Sequence, residues 1–507
     1  MLTGFILTNA KRLADVLRVQ EGKIQILLKR YIENCASFVN WQLIDASRYV
    51  NQDLGDCATY LDMLHDYRLG LGLDRKGAYN IPLFIIGGED VIPTPNVEID
   101  YMKLPADILY CFDKNAQENL EQLTTIKPYF AVGRLPITQI NSLNERFTVT
   151  HLSDYLDNSV AMIHNTIASR GCVTTTAESW YEMAEDMTKD IPKVPLSIAH
   201  VPVHNNMISS PLLDTSESNQ MYEGYIRELS KADVWQFLLH GAHKEGEPNF
   251  YGESVSSDKF PVALQTSMLH SVHPMILNTN ACHGGRYFGY DISDSMLLSA
   301  LVNGTMLYLG ASNNAYYNPF RTGYAIALMK YYTIYLHKGY PAAMALLKAK
   351  QDYYERYHDS DGDVGAMVTV LEFNLYGCPL LSMQPQLDMS YEPKLPQYAT
   401  MKKTKTTYRP KTATPLFNSK YKVGNLHFLV KHSTDMELQS VYKTVESELY
   451  QYFHVDDAQL EQVFRLSQDN CEVGFRFVYR RAGYKVNLHY SVECDNNGNI
   501  LTMMGYL

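Results

Sequence analysis

The stretch PMILNTNACHGG, residues 274–285, decides the fold of this chain. It begins as an apolar run and ends in a cysteine, a histidine and two glycines. The earlier stretch VWQFLLHGAH, residues 234–243, has the same order, with an apolar run that leads into His240 and Gly241. Continuous apolar runs of this kind are typical of strands buried on both faces of a parallel sheet. The two stretches therefore predict two parallel strands that deliver polar residues to the carboxyl edge of one sheet.

Similar apolar runs alternate with helical patterns along most of the chain. Strand-like examples are GFILTN (4–9), IPLFIIGG (81–88) and GTMLYLG (304–310), and SNQMYEGYIRELSKA (218–232) is a helical one. This alternation predicts the α/β class, a three-layer α/β/α sandwich with mostly parallel sheets arranged in tandem subdomains.

The length of 507 residues allows two or three domains. We expect an N-terminal α/β subdomain over residues 1–160 and a second one over 161–392. Residues 393–422 are basic, acid-free and proline-rich, which indicates a linker or exposed loop. A small C-terminal α+β module over 423–507 follows, because CEVGFRFVYRR (471–481) alternates with the period of a strand.

Charge and cysteine usage narrow the partners and the compartment. The net charge is −11 without a long block of like charges, so we expect no nucleic acid partner. We see neither an apolar window long enough to span a membrane nor a convincing signal peptide. The eight cysteines are scattered singly, which predicts reduced thiols in a cytoplasmic protein; a mature secreted form without its leader stays open.

The two strand ends carry the candidate chemistry. One right-handed crossover, with VALQTSMLHSV (262–272) as its helix, would place His240 and Cys282 side by side. A thiol beside an imidazole is a nucleophile beside a base. The backbone N–H groups of Gly241 and Cys282 are the candidate oxyanion donors. Alone, each motif is more often structural; together, at this spacing, they favour catalysis.

Metal binding is the alternative interpretation of the same histidines and of one acidic run. His240, His243, Cys282 and His283 include zinc-ligand types, but histidines three apart at a strand end diverge. HDSDGDVG (358–365) begins like a calcium loop, yet its glycine is out of position and the closing glutamate is absent. We therefore expect no cofactor and a solvated acidic loop, with a structural calcium ion left open.

Several segments resemble one protein family. LLHGAH (238–243) and NTNACHGG (278–285) resemble the His-Gly and Ala-Cys signatures of the caspase-like cysteine peptidases of clan CD. Within that clan the similarity is to the gingipain-like (C25) peptidases, and it extends in the same order over residues 75–330. The segments that carry it further are IPLFIIGGEDVIPTP (81–95), LPADILYCF (104–112), YFAVGRLPITQINSLNERFTVTHLSDY (129–155) and SMLLSALVNGTMLYLGASNNAYYNP (295–319).

The resemblance implies a caspase-like fold and a cysteine endopeptidase that cleaves after Arg or Lys through a thioester. Cys282 is then the nucleophile and His240 the acid/base, both in the second, catalytic subdomain. Asp107 matches the acid at the bottom of the family's specificity pocket, to which the non-catalytic first subdomain would contribute. Tyr316, or next Tyr317, matches the aromatic residue that covers that pocket.

The chain departs from the family pattern at two positions that bear on specificity. Ala106 stands where the family has a serine before the pocket acid, and a tyrosine stands where the family has the tryptophan that covers the pocket. The acid that orients His240 stays open among Glu89, Glu98 and Asp100.

Two other functions fit the same residues. The chain resembles a caspase-like protease of the CHAT type, dedicated to one intracellular protein, as well as a broad peptidase. It is also compatible with an inactive scaffold on a protease fold. The expected partners are a protein or peptide substrate and, through the C-terminal module, a regulatory protein.

Overall fold

The structure is a computed structural model of the chain, and it falls into two compact units, Met1–Tyr391 and Glu392–Leu507. The residues that it describes are 2–49, 55–73, 79–99, 102–112, 128–140, 146–165, 171–189, 191, 203–204, 207–209, 219–244, 247–253, 260–316, 323–361, 363–383, 414–415, 443, 459–465, 471–481, 484–494 and 500–506.

Strands and helices alternate through the first unit. The strands are β1 (Leu2–Thr8), β2 (Val39–Asp45), β3 (Ile81–Ile86), β4 (Asn96–Ile99), β5 (Met102–Pro105), β6 (Phe130–Leu135), β7 (Cys172–Thr176), β8 (Val203–His204), β9 (Met207–Ser209), β10 (Val234–Leu238), β11 (His240–Lys244), β12 (Glu247–Tyr251), β13 (Val262–Gln265), β14 (Ile276–Thr279), β15 (Leu307–Ala311) and β16 (Phe373–Gly377). The α-helices are α1 (Ala10–Leu17), α2 (Glu21–Cys35), α3 (Cys57–Gly70), α4 (Val149–Asn165), α5 (Tyr181–Thr188), α6 (Asn219–Leu229), α7 (Met296–Val302), α8 (Tyr324–His337), α9 (Ala342–Asp361) and α10 (Asp363–Glu372). Short 3-10 helices cover Ala46–Arg48, Asp107–Cys111, Glu178–Trp180, Thr266–His270 and Ile292–Asp294.

The first unit is built around one large sheet. Within the described residues its strand order is β2-β1-β3-β6-β16-β15-β14-β10-β7-β9-β8. Neighbours are parallel except at β15–β16 and β8–β9. Every residue of β3, β6, β10, β14 and β15 is buried, so both faces of the sheet are covered. The predicted α/β class with a mostly parallel sheet is confirmed.

The two halves of this sheet run in opposite directions. β16 pairs parallel with β6 and antiparallel with β15, from Leu307 opposite Gly377 to Ala311 opposite Phe373. The carboxyl ends of β10, β14 and β15 therefore share an edge with the amino ends of β16 and β6. The two halves expected as tandem subdomains form a single continuous sheet.

The connection between β10 and β14 differs from the prediction. VALQTSMLHSV was expected to be the crossover helix, but it forms β13 and a 3-10 turn. β13 pairs with β12, which also pairs with β11, in a small antiparallel sheet. Strand pairing satisfies the backbone of this segment, and so tertiary contacts override its helical pattern.

The second unit contains an antiparallel sheet of β17 (Thr414–Pro415), β18 (Gln459–Arg465), β19 (Cys471–Arg481), β20 (Tyr484–Cys494) and β21 (Ile500–Tyr506). The rest of the predicted linker over 393–422 lies outside the described residues. In the described part of the chain, no helix has the length and apolar character needed to cross a bilayer.

Candidate active site

The candidate site begins where β10 and β14 end side by side. The two strands pair in parallel, from Val234 opposite Ile276 to Phe237 opposite Thr279. Beyond the pairing, Gly241 packs directly on the backbone of Cys282: a methyl group on Gly241 would lie 1.9 Å from the Cys282 carbonyl oxygen. The structure thus brings the two predicted motifs together at one edge of the sheet.

Hydrogen bonds hold the two strand ends in this arrangement. The Asn280 side-chain oxygen accepts from the Leu239 amide at 3.0 Å, and the Asn280 amide donates to the Phe237 carbonyl at 3.2 Å. After Cys282 the backbone turns through a left-handed residue, His283, with φ 57°. The His283 amide donates to the Asn313 carbonyl at 2.8 Å, which ties the turn to the segment that follows β15.

The two glycines after His283 serve the packing of this turn. A methyl group on Gly285 would lie 2.7 Å from the Gly310 carbonyl oxygen, and one on Gly284 would lie 2.8 Å from Thr279 Cγ2. The Tyr376 hydroxyl donates to the Gly285 carbonyl at 2.8 Å. Both glycines are buried, so they let the strands approach one another closely.

Cys282 is a free cysteine of intermediate exposure as a residue, and its thiol lies among backbone groups. It donates to the Ala315 carbonyl at 3.8 Å. Burial raises the pKa of Cys282 to about 11, and hydrogen bonds with the backbone of Ala315, Cys282 and Gly241 oppose that rise. Both candidate oxyanion donors therefore lie at the sulfur, and the resting thiol is protonated at neutral pH.

The His240 imidazole is held by an acid and two aromatic rings. Its Nε2 lies 3.3 Å from Glu253 Oε2, and the Ser179 hydroxyl also donates to that carboxylate. The hydrogen bond from His240 lowers the pKa of Glu253 below its usual value, more strongly than burial raises it. The rings of Trp180 and Phe260 lie 4.4 Å and 5.2 Å from the imidazole centroid. Because His240 Nε2 is hydrogen-bonded to Glu253, Nδ1 is the ring nitrogen left for proton transfer.

Sequence reasoning missed Glu253, which is the acid that contacts the imidazole among the described residues. Glu89 instead accepts from the Thr94 amide at 2.9 Å. Glu98 is exposed on β4, and Asp100 lies outside the described residues. The sequence shows no sign of the β11–β12 hairpin. This hairpin pairs Tyr251 with His240, and Glu253, two residues after Tyr251, thereby reaches the imidazole.

Asp107 does not offer a free carboxylate in this structure. Arg134 donates to both of its oxygens, at 2.8 Å from Nε and 2.7 Å from Nη2. The remaining Arg134 nitrogen, Nη1, donates to the carbonyls of Gly87 and Ile92 at 2.9 Å and 2.7 Å. Both side chains are buried. The geometry therefore gives Asp107 a structural partner, and its expected place at the bottom of a specificity pocket stays a prediction.

Tyr316 directly follows Ala315, whose carbonyl accepts from the Cys282 thiol, and its expected role as the cover of a specificity pocket stays a prediction. Its ring packs against Tyr324 at a centroid distance of 5.8 Å. Tyr317 lies outside the described residues.

No metal site is found where the structure describes the side chains, since no three His, Cys, Asp or Glu groups come together there. The acidic run expected as a loop is helical instead. Asp359 and Asp361 belong to the last turn of α9, and Asp363 opens α10. The side chains of these three residues lie outside the described part of the structure.

The fold and the site define an α/β protein with a cysteine and a histidine at the carboxyl edge of a mostly parallel sheet. No protein-family profile and no curated protein sequence matches the chain. One similar solved structure, titled "Structure of Protease", is 10% identical, covers 99% of this chain and 96% of its own, and has a TM-score of 0.45. The Arg-specific cysteine proteinase gingipain R is 11% identical, over 76% of this chain and 79% of that one, with a TM-score of 0.47. Scores this low carry no argument about chemistry, which depends on the site itself.

Proposed function

We propose that this protein is a cysteine endopeptidase that uses Cys282 as nucleophile and His240 as acid/base. One observation carries the proposal: Gly241, the neighbour of His240, packs on the backbone of Cys282 so closely that no side chain fits between them. The imidazole and the thiol, which are 42 positions apart in sequence, are thereby fixed at one edge of the sheet.

The proposed reaction follows from the groups around the sulfur. His240 Nδ1 accepts the thiol proton as the sulfur attacks the carbonyl carbon of the scissile peptide bond. The amides of Gly241 and Cys282 donate to the resulting oxyanion. Collapse of this intermediate breaks the carbon–nitrogen bond, His240 protonates the leaving amine, and a thioester remains. Water, deprotonated by His240, then hydrolyses the thioester, while Glu253 stabilises the imidazolium.

Cleavage after Arg or Lys is part of the proposal. Asp107 is left out of it, because Arg134 occupies both of its carboxylate oxygens. Tyr316 stays in it as the residue that borders the substrate side chain, since it lies one position after the carbonyl that contacts the thiol.

Peptide hydrolysis by matched variants tests the proposal. Cys282→Ala and His240→Ala should each abolish cleavage of fluorogenic peptides with Arg or Lys before the scissile bond, with unchanged thermal unfolding. Cys57→Ala is the matched control, because Cys57 is also a partly exposed free cysteine and lies at the start of α3. Full activity in the Cys282→Ala protein would exclude the mechanism.

A protease dedicated to one protein partner is the second candidate. With the pKa of the Cys282 thiol raised to about 11, His240 must take the thiol proton during the attack in either case. A panel of short peptides separates the two, since a broad peptidase cleaves many of them and a dedicated one few or none.

A further inference from the structure

Glu372 is a buried acid beside the candidate site that the proposed mechanism does not use. It is the last residue of α10 and directly precedes β16. Its side chain is fully buried, with 0% exposure, and neither carboxylate oxygen has a hydrogen-bond partner that meets ordinary geometry. Buried carboxylates are almost always paired, so an unpaired one calls for a functional explanation.

The surroundings of Glu372 disfavour a negative charge in the free protein. A carboxylate at the carboxyl end of a helix faces the negative end of the helix dipole. Lys350 of α9 is buried nearby and is electrostatically coupled to Glu372, but the two form no ion pair. Burial accordingly raises the pKa of Glu372 well above its usual value. Among the described residues no cation pairs directly with this acid, and a cationic ligand would supply such a partner.

The place of Glu372 in the fold connects it to the thiol. Its carbonyl accepts from the Ser312 amide at 2.8 Å, just past the end of β15. Three residues later, the Ala315 carbonyl accepts from the Cys282 thiol. The backbone of Tyr316 favours the ionised form of Glu372, and in that form Glu372 would raise the pKa of Cys282. Glu372 thus lies behind the segment that borders the sulfur.

We propose that Glu372 is the carboxylate that binds the basic side chain on the acyl side of the scissile bond. This inference rests on the proposed endopeptidase function and names the residue that sets its preference. A guanidinium would supply two N–H donors to the two unpaired oxygens, and an ammonium would supply one or more. Because Glu372 is closed to solvent, the substrate side chain must displace part of Ala315–Tyr316 to reach it.

Two buried acids are then distinguished by their partners. Asp107 already has its cation in Arg134, whereas no cation among the described residues lies within ion-pair distance of Glu372. Replacing each carboxylate by its amide should therefore have opposite effects on stability and on substrate preference. Asp107→Asn is the matched control for Glu372→Gln.

Paired peptides that differ only in arginine or citrulline before the scissile bond test the assignment, because citrulline keeps the shape of arginine without its charge. Wild-type protein should prefer arginine, and Glu372→Gln should reduce the ratio of the two kcat/KM values by about 30-fold or more. Its thermal unfolding temperature should stay equal or rise, since a neutral amide replaces an uncompensated acid. Asp107→Asn should lower the unfolding temperature and keep the ratio.

An unchanged ratio in Glu372→Gln, with wild type active, would overturn the assignment and leave the endopeptidase function standing. A ratio that collapses in Asp107→Asn alone would return the role to Asp107. If Glu372→Gln does not fold, Glu372→Leu takes its place in the same comparison.

Binding of agmatine, a guanidinium compound without a scissile bond, separates the two proposals. Agmatine should raise the unfolding temperature of the Cys282→Ala chain, and adding Glu372→Gln should abolish the shift. This result supports the cation site even if wild type cleaves no peptide, which would refute the endopeptidase function alone. Equal shifts with and without Glu372 would refute the cation site.

Discussion

Replacing Gly241 by alanine is the sharpest test of the site geometry. The added methyl group would lie 1.9 Å from the Cys282 carbonyl oxygen and 2.8 Å from the Cys282 nitrogen and carbonyl carbon. Non-bonded carbons essentially never approach another heavy atom to less than 3.0 Å, so the two backbones must separate by about 1 Å. A displacement of that size at reacting groups costs about 100-fold in rate. The overpacking should also destabilise the protein by about 1–3 kcal/mol.

The assay is kcat/KM on a cleaved peptide, together with unfolding in denaturant. Gly22→Ala is the control, because Gly22 lies in helix α2 and a methyl group there meets nothing within 4 Å. We expect Gly22→Ala to keep full activity and equal or slightly higher stability. A Gly241→Ala protein with the activity of wild type would refute the view that His240 and Cys282 act from the positions described.

Three other changes test separate contacts. Glu253→Gln should lower kcat/KM about 10- to 100-fold, and a wild-type rate would remove Glu253 from the site. Because the folded pKa of Glu253 lies below 4.5, its ionised form stabilises the fold above that pH, and the stability difference from Glu253→Gln should shrink on further acidification. Asp107→Asn should destabilise the protein by about 3–5 kcal/mol in denaturant titrations, since it breaks a buried pair with Arg134; a loss near zero would contradict that pairing. Iodoacetamide should alkylate Cys282 at pH 8 about 100-fold more slowly than an ordinary thiol, because its pKa is raised from 9.0 to about 11; equal rates would contradict that shift.

The parallel strands could be predicted from sequence because strands that are buried on both faces consist of continuous apolar runs. VWQFL over β10 and ILNT over β14 are examples. The reversal between β15 and β16 could not be predicted in this way, since FNLYG has the same composition whichever way it runs. The strand conformation of VALQ depends on its partner β12, and pairing partners are not visible in local sequence.

The site was predictable where its residues directly follow strands. His240 and Cys282 do so, and two parallel strands bring them together. Glu253 reaches the imidazole only through a hairpin, and Glu372 reaches the thiol region only through β16, ninety positions after Cys282. Asp107 shows a different limit of sequence reasoning. Its motif resembles that of the family, but the sequence does not reveal that Arg134 donates hydrogen bonds to both carboxylate oxygens.

The position of β16 also has a consequence for biosynthesis. β16 lies in the middle of the sheet, between β6 and β15, yet it is the last of the sheet's described strands to leave the ribosome. A nascent chain that ends before Glu372 lacks both that residue and the strand that joins the two halves. Long-range pairing of this kind forms late in folding. The order of synthesis therefore keeps the two halves of the sheet apart until nearly the whole first unit has been made.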